Sequence, residues 1–131
     1  MKNEFVTYEQ ALALKELGFD EMCFASIDNF SKLPYVPSKG GNYLNSKDYE
    51  RGNSAACPLK QQVFRWFREK YELGHTICPY YFNTSITELQ DVDDYPPQHE
   101  VYVSSPFTYE EAENACIDKL IEIAKQKDNG K

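Results

Sequence analysis

Residues 58–73 read PLKQQVFRWFREKYEL, and after Pro58 nothing in the run breaks a helix. At helical spacing Val63, Phe64, Phe67 and Tyr71 share one face. Leu59, Trp66 and Leu73 widen that face to about half the circumference, while Gln61, Arg65, Arg68, Glu69 and Glu72 point away. Pro58 suits the first helical position, where a missing N–H costs nothing, and Cys57 would then sit at the cap, although cysteine caps poorly. Gly74 is the natural stop. The segment predicts an aromatic-faced helix turned toward a core.

Two further helices flank it. Residues 7–11 read TYEQA and residues 108–112 read TYEEA, each after an apolar residue, Val6 or Phe107. Thr7 and Thr108 are good caps, and Gln10 and Glu111 complete capping boxes by reaching back to the cap amide. Val6 with Ala11, and Phe107 with Ala112, are placed as hydrophobic staples, and Glu9 and Glu110 suit the positive end of the helix dipole. Every shared residue has a local structural task, so convergent capping explains the likeness without a duplication. The first helix is expected from Tyr8 to Leu17 with Gly18 as its stop. The last is expected from Tyr109 to Gln126, with Tyr109, Ala112, Cys116, Ile117, Leu120, Ile123 and Ala124 on one stripe.

Strands are expected at 21–27, 75–83 and 99–105, with Pro79 placing an edge or a bulge in the second. Residues 28–56 are polar and hold Pro34, Pro37, Gly40, Gly41 and Gly52. A structureless loop of that length is improbable in a small domain, so a short hairpin or strand is expected near 42–45. The result is an α+β class in the order α-β-(loop)-α-β-β-α. Its three helices pack on a small, mainly antiparallel sheet of three to four strands, forming a single domain over 1–131 with a short flexible tail at 127–131.

Composition narrows the function. With 131 residues, 41% hydrophobic and 15% aromatic, the chain can bury a real core and is not disordered as a whole. The net charge of −7 is unevenly spread: residues 1–56 carry −2, 57–75 carry +2 and 76–131 carry −7. An acidic chain gains nothing from releasing counterions, so nucleic acid is disfavoured as a partner. MKNEFVTYEQ has no apolar leader and no stretch is long and apolar enough to span a bilayer, which gives an expectation of a cytoplasmic protein with no membrane partner. Cys23, Cys57, Cys78 and Cys116 match no zinc or redox spacing and are expected as free thiols.

The blocks TYEQALALKELGFDE (7–21), PLKQQVFRWFREKY (58–71) and TYEEAENACIDKLIEIAK (108–125) resemble a family of small uncharacterised proteins from bacteriophages and prophages of gut bacteria. The likeness covers roughly half the chain, and FRWFREKY (64–71) is its most distinctive string. Members of that family often open the second block with a Thr-Tyr pair where this chain has Leu59-Lys60. The resemblance implies a setting in mobile genetic elements and a shared helical scaffold around variable middle segments. It implies no catalytic residues.

Candidate chemistry is sparse. His75-x-x-Cys78 has ligand-like spacing but lacks a second pair. Asp91, Asp93, Asp94, His99 and Glu100 form an acidic cluster without the glycine and closing glutamate of a calcium loop, so a solvated turn explains it. No metal or cofactor is expected. Cys57 before a helix could be activated if His75 or His99 approached it, but no flanking signature supports a nucleophile. PSKGGN (37–42) does not fit a phosphate loop. Arg65, Trp66 and Arg68, in the one basic segment, form a candidate binding patch for an acidic protein or a phosphate. The plainer alternative has Arg68 pairing along the helix to Glu69 or Glu72 while Trp66 closes the core edge.

The expectation is therefore a small non-catalytic accessory protein that acts on a host or phage protein by direct contact. Two alternatives stand beside it: a small enzyme or ligand-binding domain with a pocket near 28–56, and a structural homodimer.

Overall fold

The computed structural model describes residues 4–38, 54–78, 84–88, 100–104 (as backbone) and 108–129. The expected hairpin near 42–45 and the acidic run 91–99 lie outside the described residues. The class is α+β, with three helices and antiparallel sheets among the described residues. The chain divides into two compact units, Met1–Lys60 and Gln61–Lys131.

In the first unit, α1 (Tyr8–Glu16) packs against the antiparallel pair β1 (Ala25–Asp28) and β2 (Ser54–Cys57). The capping box is formed as expected: Gln10 N–H donates to Thr7 Oγ1 at 3.2 Å and Thr7 N–H donates to Gln10 Oε1 at 3.0 Å. At the other end Gly18 takes φ 91°, its N–H reaches Lys15 O at 3.1 Å, and Phe19 N–H reaches Leu14 O at 3.0 Å. These two bonds satisfy carbonyls the helix leaves open, and a residue with a Cβ would resist that φ. Leu14 and Phe19 are both fully buried beside the closure.

β2 corrects the reading of 28–56 and of Cys57. SAAC is a strand whose register sets Cys57 opposite Ala25 and Ser54 opposite Asp28. Ala and Ser have little strand propensity of their own, and β1 supplies the missing preference through its ladder. Pro58 O then accepts Val6 N–H at 3.1 Å, and Leu59 bridges Phe5. Those two residues therefore serve backbone pairing rather than a helical first turn, and α2 starts at Lys60 instead of Pro58.

The second unit holds α2 (Lys60–Lys70) from Gln61 onward, the antiparallel sheet β3 (Leu73–Ile77), β4 (Thr84–Glu88), β5 (Glu100–Ser104), and α3 (Tyr109–Asn129). Among the described residues the five strands form two sheets, of two and three strands, rather than the single expected sheet. β4 is central, and the register slips between Thr84 and Ser85 against β5, as at a bulge. Successive residues Thr84, Ser85 and Ile86 are all buried, so β4 is covered on both faces. α3 lies along this sheet with Ala112, Cys116, Ile117, Leu120, Ile121 and Ala124 buried, and Thr108 Oγ1 caps it through Glu111 N–H at 3.1 Å. It continues to Asn129, past the expected end at Gln126. Its last turn is held from outside: Tyr71 OH donates to Asp128 at 2.9 Å, and Lys127 pairs with Glu88 at 3.4 Å.

α2 stops earlier than Gly74. Glu72 adopts φ 56°, which turns the chain so that β3 begins at Leu73, and Gly74 becomes a strand residue opposite Thr87. A side chain in the left-handed region costs roughly 1–2 kcal/mol, which glycine does not incur. Glu72→Gly is accordingly expected to stabilise the protein by about 0.5–1 kcal/mol after the extra freedom of the unfolded glycine is deducted. A lower thermal midpoint for that variant would contradict the assignment of the turn to position 72.

Candidate functional site

Among the described residues, Cys57 and His75 are the ones the sequence singles out for chemistry, and both are packed into the fold. Cys57 is fully buried at the end of β2, where its Sγ–H donates to Val6 O at 3.5 Å. Burial pushes its thiol up to about 12, so the nucleophilic thiolate is absent at neutral pH. Cys23 donates to Glu21 O at 3.4 Å and is also pushed up to about 12, by burial first and then by the neighbouring Cys57 and Glu21. Burial raises Cys116 to about 11. All four cysteines are free, and Cys78 alone of them is half-buried rather than buried.

His75 lies in β3 with its ring stacked on Phe64 of α2, centroids 3.7 Å apart and planes 11° from parallel. Burial, and secondarily the positive charge of Arg68, push its pKa down to about 4. The imidazole is thus a neutral packing group at physiological pH. Among the described residues no three His, Cys, Asp or Glu side chains are grouped to hold a metal ion.

The Arg65, Trp66, Arg68 patch is divided by the helix. Arg65 and Arg68 are both exposed on the outer side of α2, whereas Trp66 is 4% exposed. Its indole meets the Phe67 ring edge-on at 5.0 Å and the Tyr71 ring at 5.6 Å, and Lys70 Nζ sits 5.0 Å above it. The tryptophan belongs to the core edge, while the two arginines are on the exposed face.

A different surface stands out. Met22, Phe24, Phe30, Leu33, Tyr35 and Val36 are all exposed, Phe30 to 96%. Along β1 the alternation is plain: Ala25 and Ile27 face in, while Phe24 and Asp28 face out. The chain then doubles back and is pinned at both ends. At the base, Ser26 N–H donates to Tyr35 O at 3.0 Å and Tyr35 N–H donates to Ser26 O at 2.8 Å. At the tip, Asp28 Oδ1 accepts the Phe30 and Ser31 amides, each at 2.9 Å, and the Ser31 hydroxyl at 3.3 Å. Lys32 takes φ 53° and its N–H donates to Asp28 O at 3.1 Å, completing the reversal. The Ser31 amide, more than the Phe30 amide and the Ser31 hydroxyl, holds the Asp28 carboxyl below the usual carboxylate range. Phe30 is thus displayed in water on a hydrogen-bonded turn, where a folded chain has nothing to gain from it.

Composition hides this surface, because 28–56 is polar on average and 21–27 has the pattern of an ordinary strand. The available signal was the alternation of small apolar residues (Cys23, Ala25) with large ones (Met22, Phe24), followed by Phe30, Leu33, Tyr35 and Val36 among turn residues. Comparison of the chain with protein-family models, curated proteins and solved structures found no match. Among the described residues no helix is long and apolar enough to cross a membrane.

Proposed function

We propose that this chain is a small non-catalytic accessory protein that works by protein–protein contact, through the surface formed by residues 22–36. The observation that carries the reading is Phe30, 96% exposed on a turn fixed by Asp28. Aromatic side chains on pre-ordered loops are efficient anchors, because little conformational freedom remains to be lost when they are buried. The protonated thiols and the neutral His75 support the non-catalytic part. The likeness of the three helical blocks to small phage and prophage proteins supplies the setting: a host or phage protein as the target, in the cytoplasm.

A photo-crosslinking residue, p-benzoylphenylalanine, placed at position 30 is the direct test, with the same residue at exposed Gln126 on α3 as the control. In the native host, position 30 is expected to give a discrete adduct with one other protein and position 126 none. Equal, diffuse labelling from both positions would remove the proposal. An adduct at twice the chain mass would move the reading to a homodimer.

A further inference from the structure

We infer that the protein bound by the 22–36 surface presents an apolar pocket rimmed by arginine or lysine side chains, that Phe30 enters this pocket, and that the partner is not a second copy of this chain. The inference rests on the contact reading above and adds the partner's chemistry to it.

Charge selects the partner. The apolar cluster is flanked by Asp20, Glu21 and Asp28, and Lys32 is the single basic residue between positions 20 and 36. Lys32 is drawn aside, with Nζ 5.8 Å from the centre of the Tyr8 ring. Asp28 accepts three hydrogen bonds through one oxygen, which keeps the carboxylate ionised beside Phe30. A second copy would set this acidic border against itself on a chain already carrying −7. Like charges brought together at an interface are strongly disfavoured. A basic rim meets Asp20, Glu21 and Asp28 favourably and also speeds encounter with a chain of this net charge. The pocket requirement follows from Phe30 itself: enclosing a phenyl ring is worth on the order of one to two powers of ten in affinity, whereas a flat surface would leave half of it wet.

Selection of a random-sequence peptide library on the immobilised full-length protein tests this. The expected winners carry an apolar centre flanked by Arg or Lys. They should bind the Phe30→Ser protein at least tenfold more weakly and lose affinity severalfold between about 50 and about 500 mM salt. Asp28→Asn keeps an acceptor oxygen for the turn and removes the charge, so it should weaken the same peptides severalfold at low salt. Phe30 is solvated, so Phe30→Ser should unfold at the wild-type temperature, which separates lost binding from lost fold. Winners that are acidic or uncharged, or that ignore Phe30→Ser, would overturn the inference. So would a sedimentation-equilibrium dimer that Phe30→Ser dissociates. A position-30 adduct with a host protein alongside non-basic winners would remove the pocket chemistry and leave the contact reading standing. Absence of both adduct and winners would remove the two together.

Discussion

Trp66→Ala is expected to cost about 3–5 kcal/mol, much of the stability of a domain of this size, whereas Arg65→Ala and Arg68→Ala each change it by less than about 0.5 kcal/mol. The contrast follows from where one turn of helix points its side chains. Trp66 is 4% exposed, with Phe67 and Tyr71 edge-on to its ring, so truncation removes a large apolar volume and strands two aromatic neighbours. Lys70 Nζ, 5.0 Å above the same ring and 5.7 Å from the centre of the Tyr71 ring, would lose one of its two aromatic contacts as well. Arg65 and Arg68 are exposed, and their removal opens no cavity. Urea denaturation followed by far-ultraviolet circular dichroism is the suitable measurement, because Trp66 is the chain's sole tryptophan and its fluorescence vanishes with the substitution. A loss below about 1 kcal/mol for Trp66→Ala would mean that the aromatic face of α2 is not packed as described.

The second large effect is a dependence on pH centred on His75. The folded-state pKa of about 4 lies below the ordinary value of 6.5. The unfolded chain therefore takes up a proton at this position before the folded chain does. Stability from this group is complete above about pH 6.5 and is lost as the pH falls toward about 4. Because the ring is only half-buried, solvent screening reduces the size of the effect to about 1–2 kcal/mol. His75→Phe keeps an aromatic ring to stack on Phe64 and removes the titration. Urea midpoints at pH 7, 6 and 5 should then fall more steeply for the wild type than for the variant. Parallel lines would show that His75 is hydrated enough to protonate in place.

The parts of this fold that could be read from the chain are those whose causes are local. Thr7, Gln10 and Gly18 set both ends of α1 within a few residues of themselves, and the structure forms those bonds. The spacing of Val63, Phe64, Trp66 and Phe67 placed the buried face of α2 correctly, since helical periodicity belongs to the segment alone. What failed was decided elsewhere in the chain. Pro58 and Leu59 look like a helix start until Val6 and Phe5 claim them. SAAC lacks strand propensity and becomes β2 because Ala25–Asp28 pairs with it, while TSITE carries the β-branched Thr84, Ile86 and Thr87 and becomes the central strand β4 by pairing with Leu73–Ile77 and Glu100–Ser104. The candidate contact surface was harder still. Hydrophobicity reports what a side chain would gain from burial, not whether the fold has room for it, so Trp66 and Phe30 are alike in sequence and opposite in exposure.

The enclosure of Cys23, Cys57 and Cys116 has a bearing on how the molecule ages. With the sulfur atoms shut away and protonated, a chain that stays folded can pass between reducing and oxidising surroundings at those positions unchanged. Covalent dimers joined through them would mark only molecules that had first come open, a chemical record of unfolding events too brief to observe directly.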